Sequence, residues 1–180
     1  MSTKKLNIVS SAEQVFDTGG FGSSVDVLAQ AAGVSTRTFY KHVGSKSRLV
    51  TEVLNERTER FFTSFDVHTV QDLFDRLADW TATEGARGCL FLRANGENGS
   101  SSPDCDAAVA LYRHRLHSLV NRIVTAEAGP AATQTLVEQV LILFEGATSA
   151  ASYRGAQAIT AARAAAENLI EHARTSIAPH

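Results

Sequence analysis

The chain has 180 residues, of which 44% are hydrophobic and 20% charged, a composition that is typical of a globular protein and excludes an intrinsically disordered one. No apolar run approaches the length of a membrane span, and the first residues lack the apolar core of a signal peptide, so we expect a cytoplasmic protein. Prolines are few and apolar residues are spaced as on helices, which predicts an all-α fold.

Charge is distributed unevenly along the chain. Residues 1–50 carry six basic and three acidic side chains, a net charge of +3, whereas the remainder carries eleven basic and sixteen acidic ones, a net charge of −5. All four lysines lie at or before Lys46. A basic segment at one end of an otherwise acidic chain indicates a polyanionic partner, and we expect nucleic acid to bind there.

Two short helices are predicted first. One runs from Lys4 to Thr18 and ends at Gly19-Gly20, with its apolar residues on one face. Ser23 and Ser24 then offer hydroxyl caps for a second helix. The apolar face of this second helix comprises Val25, Leu28, Ala29 and Ala32.

The next segment has the spacing of a helix-turn-helix. Gly33 ends the second helix, because glycine adopts a left-handed conformation without steric cost, and Ser35 can cap the helix that follows. In that helix Phe39 and Val43 face inward. Its other side chains can form hydrogen bonds, as suits a helix in the major groove: Thr36, Arg37, Thr38, Tyr40, Lys41 and His42. An ordinary helical hairpin with a polar outer face is the alternative.

Two cations begin the next predicted helix. Lys46 and Arg48 follow Ser45, in a first turn where positive charge opposes the helix dipole. A phosphate bound at this helix start would explain both residues, since it would accept hydrogen bonds from side chains and backbone N–H groups. Two solvated cations without a partner are the alternative.

Together these motifs resemble the amino-terminal domain of the tetracycline-repressor (TetR) family, without gaps from about Ile8 to Val53. The matching residues are Ile8, Val9, Ala12, Val15, Phe16, Gly20, Phe21, Ser23, Ser24, Val25, Leu28, Ala29, Ala32, Gly33, Val34, Ser35, Thr38, Phe39, Tyr40, Ser45, Lys46 and Leu49. The resemblance implies that a hydroxyl at Ser23 or Ser24 touches phosphate, and that Tyr40 does so too. Two positions depart from the family pattern: Arg37 stands where a small residue is frequent, and Val43 replaces a phenylalanine.

The sequence therefore predicts an amino-terminal three-helix helix-turn-helix domain over residues 1–48 and a larger helical ligand-binding and dimerisation domain over residues 49–180. The predicted DNA-binding residues are Ser24, Ser35, Thr36, Arg37, Thr38, Tyr40, Lys41, His42 and Lys46.

A long helix from Ser45 to about Ser64 is too long for the small domain alone, so we expect it to link the two domains. A break at residues 66–68 precedes Thr69 and Asp72, which have the spacing of a capping box. An amphipathic helix follows this capping box, and residues 85–88 interrupt it.

A short buried segment, Cys89–Leu92, and a flexible loop from Asn95 to Ser102 are predicted next. Ser102-Pro103-Asp104 then starts another helix, with a cap, a proline at the first position and an acid in the first turn. That helix ends at Gly129-Pro130.

The last two predicted helices indicate a dimer. Apolar residues cover more than one face of the first, and alanine dominates the second, from about Gln157 to Thr175. Such helices must be covered on two sides, and a two-fold four-helix interface would do so, as the resemblance also implies. The predicted interface residues are Val140, Phe144, Ala147, Ala162, Ala166, Leu169 and Ile170. An intramolecular core is the alternative.

A small-molecule pocket among the middle helices is a further expectation, which the resemblance supports without identifying the ligand. Mostly apolar pockets with a few polar anchors suit small organic molecules. The predicted lining residues are Phe61, Phe65, Trp80, Tyr112, Phe144 and Glu145. Taken singly, each residue fits a hydrophobic core equally well, and Glu145 can also point to solvent.

The sequence shows no catalytic constellation or cofactor motif. His114 and His117 have the spacing of two metal ligands, but such histidines among arginines also suit a solvated face. Cys105 falls in a first helical turn next to two aspartates, and Cys89 lies among apolar residues, as an inert core thiol does.

We therefore expect a homodimeric, sequence-specific DNA-binding transcriptional regulator without enzymatic activity or cofactor. It would act as a repressor that a small apolar or aromatic ligand releases from a palindromic operator. Two alternatives stay open: a thiol-responsive regulator of the same fold, and a small metal-dependent enzyme that uses the region of His114 and His117.

Overall fold

The computed structural model describes residues 3–84, 88–97 and 102–177, and within these ranges the chain is helical and contains no strand. The all-α prediction is confirmed. The helices are α1 (Thr3–Gly19), α2 (Val25–Ala31), α3 (Thr36–Val43), α4 (Lys46–Ser64), α5 (Val70–Thr83), α6 (Leu90–Glu97), α7 (Pro103–Ala128), α8 (Gln134–Arg154) and α9 (Ala156–Ile177). A 3₁₀ turn, Gly129–Ala131, follows α7. Of the helices described, none is long and apolar enough to cross a lipid bilayer.

Side-chain caps begin several helices where the sequence predicts them. At α5, Thr69 Oγ1 accepts the Asp72 N–H at 3.0 Å and Asp72 Oδ2 accepts the Thr69 N–H at 3.2 Å, which completes the capping box. The hydrogen bond with the Thr69 side chain helps to hold the pKa of the Asp72 carboxyl below its usual range. At α7, Ser102 Oγ accepts the Cys105 N–H at 3.2 Å. These caps satisfy N–H groups that have no partner within the helix.

The prediction for residues 89–97 is wrong in part. A buried segment at Cys89–Leu92 and a loop from Asn95 were expected, but α6 continues without interruption to Glu97. An ion pair one turn apart supports the end of this helix, with Arg93 Nε 2.9 Å from Glu97 Oε1. Residues 98–101 of the predicted loop and residues 85–87 of the predicted interruption lie outside the described ranges.

The chain divides into two compact units. The first comprises the chain up to Phe61 together with Leu90–Tyr112, and the second comprises Phe62–Cys89 together with the chain from Arg113. Thus α1 to α3, most of α4, α6 and the start of α7 belong to one unit. The division into domains at residue 48 stays a prediction.

In the first unit α1 packs against α2 and α3, and the rings of Phe16 and Phe21 stack with centroids 4.8 Å apart. Charged groups also join α1 to α4. Arg57 Nη1 donates to Glu13 Oε1 at 2.7 Å and to Asp17 Oδ2 at 3.1 Å. Burial raises the pKa of the Asp17 carboxyl, although the charge of Arg57 opposes this effect.

In the second unit α9 packs along α8 and against α5. Ala166 of α9 is fully buried, and small side chains of this kind let helix axes approach closely. Phe144 of α8 is also buried, between the rings of Phe65 and Phe74, whose centroids lie 6.2 and 5.9 Å from its own. The core of this unit is therefore built from α5, α8 and α9, from Phe65 just after α4, and from buried residues of α7 such as Val120 and Ile123.

Candidate nucleic-acid interface

A tight turn sets α2 against α3. Ser24 Oγ accepts the Val27 N–H at 3.3 Å and begins α2, and Gly33 with φ of +66° ends it. The Gly33 N–H donates to Gln30 O at 3.0 Å, and the Val34 N–H donates to Ala29 O at 3.0 Å. A residue with a Cβ would be strained at this φ, so glycine is the residue that lets the chain reverse here.

Buried anchors hold α3 in place. Ser35 Oγ accepts the Thr38 N–H at 3.2 Å, and Phe39 and Val43 are 0% and 2% exposed. On the opposite side, Arg37, Tyr40 and Lys41 are exposed. The helix therefore presents hydrogen-bonding side chains on a rigidly supported surface, which is the arrangement that reading of base edges requires.

Two hydroxyl groups at the start of α3 already have partners. Ser35 Oγ lies 3.0 Å from Thr38 Oγ1, where either atom can be the donor. Thr36 Oγ1 donates to Asp26 Oδ1 of α2 at 3.2 Å. No local pattern marks Asp26 as a partner of α3, because an acid in the first turn of a helix is explained by the helix dipole alone. The contact joins the first turns of the two helices.

The start of α4 lies directly after α3. Gly44 takes φ of +75° between the two helices, and Ser45 Oγ accepts the Arg48 N–H at 3.1 Å. Lys46 is half-buried and Arg48 is exposed. Both cations therefore stand in the first turn of a capped helix, where a phosphate group would find side-chain and backbone donors together.

Residues from α6 brace the end of α1. Arg93 Nη1 donates to Asp17 O at 3.0 Å, and Arg93 Nη2 donates to Phe16 O at 3.2 Å, so a cation caps carbonyls in the last turn of that helix. Glu97 Oε2 accepts the Phe21 N–H at 3.1 Å. The hydrogen bond from Arg93 holds the pKa of the Glu97 carboxyl below its usual range. The partners are separated by 76 or 77 residues along the chain, so no local pattern could have indicated these contacts.

The nine predicted DNA-binding residues all lie in the first unit. Exposed among them are Ser24, Ser35, Thr36, Arg37, Tyr40 and Lys41, while Thr38, His42 and Lys46 are half-buried. Their contact with DNA stays a prediction.

The predicted ligand residues fall into two groups. In the first unit, the ring of Tyr112 stacks on Phe91 with centroids 3.7 Å apart and meets Phe61 edge-on at 5.6 Å. In the second unit, Phe65 lies between Trp80 and Phe144, with centroids 6.3 and 6.2 Å away. Glu145 is half-buried. A role in ligand binding stays a prediction for these residues.

A cavity of about 360 Å³ lies in the second unit at the start of α5. Its lining residues are Thr69, Val70, Gln71, Glu127, Glu167, Asn168, Ile170, Glu171 and Arg174. None of them belongs to the predicted ligand set. Glu127 Oε2 accepts the Val70 N–H at 2.9 Å, and Arg174 Nε donates to Glu127 O at 2.6 Å. Two hydrogen bonds therefore join lining residues of this cavity to one another.

Most of the predicted dimer residues are buried within the single chain. Leu169 is half-buried, and the residues less than a tenth exposed are Val140, Phe144, Ala147, Ala162, Ala166 and Ile170. Other apolar residues of α8 remain exposed, above all Ile142 at 65% and Tyr153 at 79%. A contact between two chains through α8 and α9 stays a prediction, and the exposed residues are the ones available to form it.

The candidates for other chemistry have local partners. His117 Nε2 lies 3.2 Å from Glu138 Oε1 and 3.1 Å from Gln134 Nε2, whereas His114 is exposed. Among residues that the structure describes, no group of three histidine, cysteine or acidic side chains is placed to hold a metal ion. Cys105 is buried and Cys89 is half-buried.

Comparison with known proteins links the interface to one family. Residues 8–53 match the family model described as bacterial regulatory proteins, tetR family. No curated protein matches the chain by sequence.

Solved structures of the same fold cover nearly the whole chain. SCO4454, a TetR-family transcriptional regulator from Streptomyces coelicolor, superposes with a TM-score of 0.84 at 18% identity, over 95% of this chain and 96% of that one. A TetR transcriptional regulator from Legionella pneumophila gives 0.77 at 17% identity, over 93% and 97%. A TetR transcription regulator from Haloarcula marismortui gives 0.75 at 14% identity, over 96% and 98%. At these identities the similarity concerns the fold.

Proposed function

We propose that this chain, whose residues 8–53 belong to the tetR family of bacterial regulatory proteins, is a sequence-specific transcriptional regulator that binds duplex DNA as a homodimer. It acts as a repressor in the cytoplasm and leaves a palindromic operator when a small apolar or aromatic ligand binds.

The exposure of α3 above a buried anchor carries this proposal. Phe39 and Val43 fix the helix, so Arg37 and Lys41 can approach base edges without reorganisation of the backbone. Lys46 and Arg48 supply positive charge beside it. The concentration of lysine in this part of an acidic chain supports binding to a polyanion.

Dimerisation follows from the symmetry that an operator requires. Two copies of α3 read two half-sites of a palindrome when the protein has a two-fold axis. Ile142 and Tyr153 of α8 are exposed apolar side chains that a second chain would cover. Most of the residues first predicted for the interface would then support these helices from inside, because they are buried within each chain.

A ligand acts by linkage. A molecule that binds better to a conformation with the wrong separation of the two α3 helices must weaken DNA binding. By linkage, it lowers the affinity for DNA by the factor by which DNA lowers the affinity for the ligand. The aromatic cluster of Phe65, Trp80 and Phe144 is the site we favour in the second unit, because rings supply a large apolar contact area.

Selection of bound sequences from random duplex DNA tests the function. The purified chain should enrich an inverted repeat whose half-site centres lie about one helical turn, or a multiple of it, apart. Failure to enrich any duplex sequence, or affinity that does not depend on salt, would contradict the proposal.

A further inference from the structure

We infer that Arg93 and Glu97 of α6 are positioning residues for DNA binding: they hold the turn between α1 and α2, and through it they keep α2 and α3 in the arrangement that binds the operator. The inference rests on the proposed function, because it takes α3 as the helix that enters the major groove. It adds to that function a helix that α4 and α5 separate from the helix-turn-helix along the chain.

Arg93 binds the last turn of α1. Its Nη1 donates to Asp17 O at 3.0 Å, and its Nη2 donates to Phe16 O at 3.2 Å. The carbonyl end of a helix dipole is negative, so a guanidinium group is well suited to this position. Two hydrogen bonds from one planar group also restrict the orientation of the helix end, because both carbonyls must face the same fork of donors.

Glu97 binds the turn that follows α1. Its Oε2 accepts the Phe21 N–H at 3.1 Å, and its Oε1 accepts Nε of Arg93 at 2.9 Å. The hydrogen bond from Arg93 holds the pKa of the Glu97 carboxyl below its usual range, so the carboxylate is ionised at neutral pH and both oxygens accept. Arg93 and Glu97 together form the α6 clamp, which binds the end of α1 and the first part of the turn.

The turn is shaped to receive Glu97. Gly20 has φ of +81°, a conformation that residues with a Cβ rarely adopt. A Cβ at Gly20 would also lie 2.7 Å from Oε2 of Glu97 and would push the carboxylate away from the Phe21 N–H. Glycine therefore permits both the course of the turn and the close approach of the α6 clamp.

Hydrogen bonds continue from the clamped turn to α2. Ser23 Oγ donates to Gly20 O at 2.9 Å. Ser24 Oγ then accepts the Val27 N–H at 3.3 Å and begins α2. Because so few residues separate the Phe21 amide from this cap, a displacement of the turn reaches the start of α2.

The start of α2 is bonded in turn to the start of α3. Thr36 Oγ1 donates to Asp26 Oδ1 at 3.2 Å, and α2 packs against both α1 and α3. Hydrogen bonds to bases weaken steeply with misalignment, so a recognition helix must be held closely in place. The α6 clamp therefore acts on base reading through α2, without contact between its own side chains and DNA.

A purely electrostatic role for Glu97 predicts the opposite result from a positioning role. A negative charge in the DNA-binding unit repels the phosphate backbone, so its removal should raise the affinity for DNA if charge alone matters. Loss of the α6 clamp should lower the affinity. The sign of the change in a Glu97 variant therefore distinguishes the two roles.

The experiment measures the affinity of full-length wild type and variants for the selected operator and for random duplex at several salt concentrations. Glu97→Gln has one acceptor oxygen in place of two, so it cannot reproduce both bonds of the carboxylate. Arg93→Lys keeps the charge but loses the fork of donors. Each variant should weaken operator binding about threefold to tenfold and random binding less. Neither should change the slope of log K against log salt, because neither removes a phosphate contact.

Thr69→Ala is the matched control for a general loss of stability. It removes the capping box of α5 in the second unit, and should lower the Tm while leaving operator affinity unchanged. Hydrogen exchange at the Phe21 amide gives an independent measurement. The exchange should be faster in Glu97→Gln than in wild type and unchanged in Thr69→Ala, because only the first variant loses the acceptor of that N–H.

The outcomes separate the inference from the function on which it rests. No specific duplex binding by wild type would contradict the proposed function. Specific wild-type binding, with operator affinity that is unchanged or raised in either Glu97→Gln or Arg93→Lys, would overturn the inference alone. So would an equal loss of operator affinity in Thr69→Ala, because the effect would then follow stability and not the α6 clamp.

Discussion

Arg57 and Glu13 form an ion pair that is almost wholly enclosed by the first unit. Nη1 of Arg57 lies 2.7 Å from Oε1 of Glu13, and the two residues are 3% and 8% exposed. The pair joins α4 to α1, and Arg60 Nη2 reaches the same carboxylate oxygen at 2.6 Å. Because an unpaired buried charge is costly, this network favours one placement of α1 on α4.

Loss of Arg57 should therefore destabilise the protein strongly. Arg57→Met keeps an unbranched side chain but removes the charge, so that Glu13 retains Arg60 and Asp17 loses its hydrogen bond from Arg57. We expect the free energy of unfolding to fall by about 3 kcal/mol, measured by denaturant titration. The double variant Arg57→Met with Glu13→Leu removes both charges and should recover much of the loss. A double variant as unstable as the single one would contradict this account.

The contact of Glu97 with Arg93 and the Phe21 amide predicts a pH dependence. Because these bonds lower the pKa of Glu97 in the folded state, its contribution to stability is present above the usual pKa of glutamate. The contribution disappears as the pH falls through the lowered pKa.

Glu97→Gln should therefore lower the Tm at neutral pH, and the difference from wild type should vanish in acid. The free energy of unfolding should fall by less than about 1 kcal/mol, because the carboxylate is partly exposed. Glu56→Gln, on the exposed surface of α4, is the control. Equal Tm values for wild type and Glu97→Gln at neutral pH would count against a stabilising contact.

Lys46 should bind phosphate and not a base. Lys46→Ala is expected to weaken binding to specific and random duplexes alike and to lower the slope of log K against log salt by about 1. Arg154→Ala, an exposed cation at the end of α8, should leave the slope unchanged. A Lys46 variant with the wild-type salt slope would exclude the phosphate contact.

Ile142 is a better position than Ala162 or Ala166 at which to test the predicted contact between two chains. Ala166 is 0% exposed within one chain, so a glutamate there would disrupt the fold itself, whereas Ile142 is 65% exposed. Ile142→Glu should keep the helical circular dichroism of wild type and sediment as a monomer that binds the operator poorly. Asn121→Glu adds the same charge on exposed α7 and should remain dimeric. A dimeric Ile142→Glu protein would place the interface elsewhere.

Trp80 is the only tryptophan, so its fluorescence reports one place in the second unit. If the cluster with Phe65 binds the effector, an apolar or aromatic compound should change this emission and release DNA over the same concentration range. Trp80→Ala, checked for folding by circular dichroism, should bind the operator normally and lose the response. A folded variant with a full response would mean that Trp80 serves only in packing.

Local patterns predicted most helix boundaries because their causes are local. The caps at Ser24, Ser35, Thr69 and Ser102 each bond an N–H group three residues later, so the sequence contains both partners within one turn. The inward positions of Phe39 and Val43 follow from helical spacing. By itself, therefore, the sequence determined the helix-turn-helix and the all-α class.

Only the tertiary structure decided which distant groups meet. It brings Asp26 to Thr36, carries Arg93 and Glu97 to the end of α1, and extends α6 through residues that favour a loop. It also buries Ala166 within the chain. The physical reason is the same in each case: the free energy of these contacts depends on how helices pack, and spacing along one helix carries no information about its neighbour.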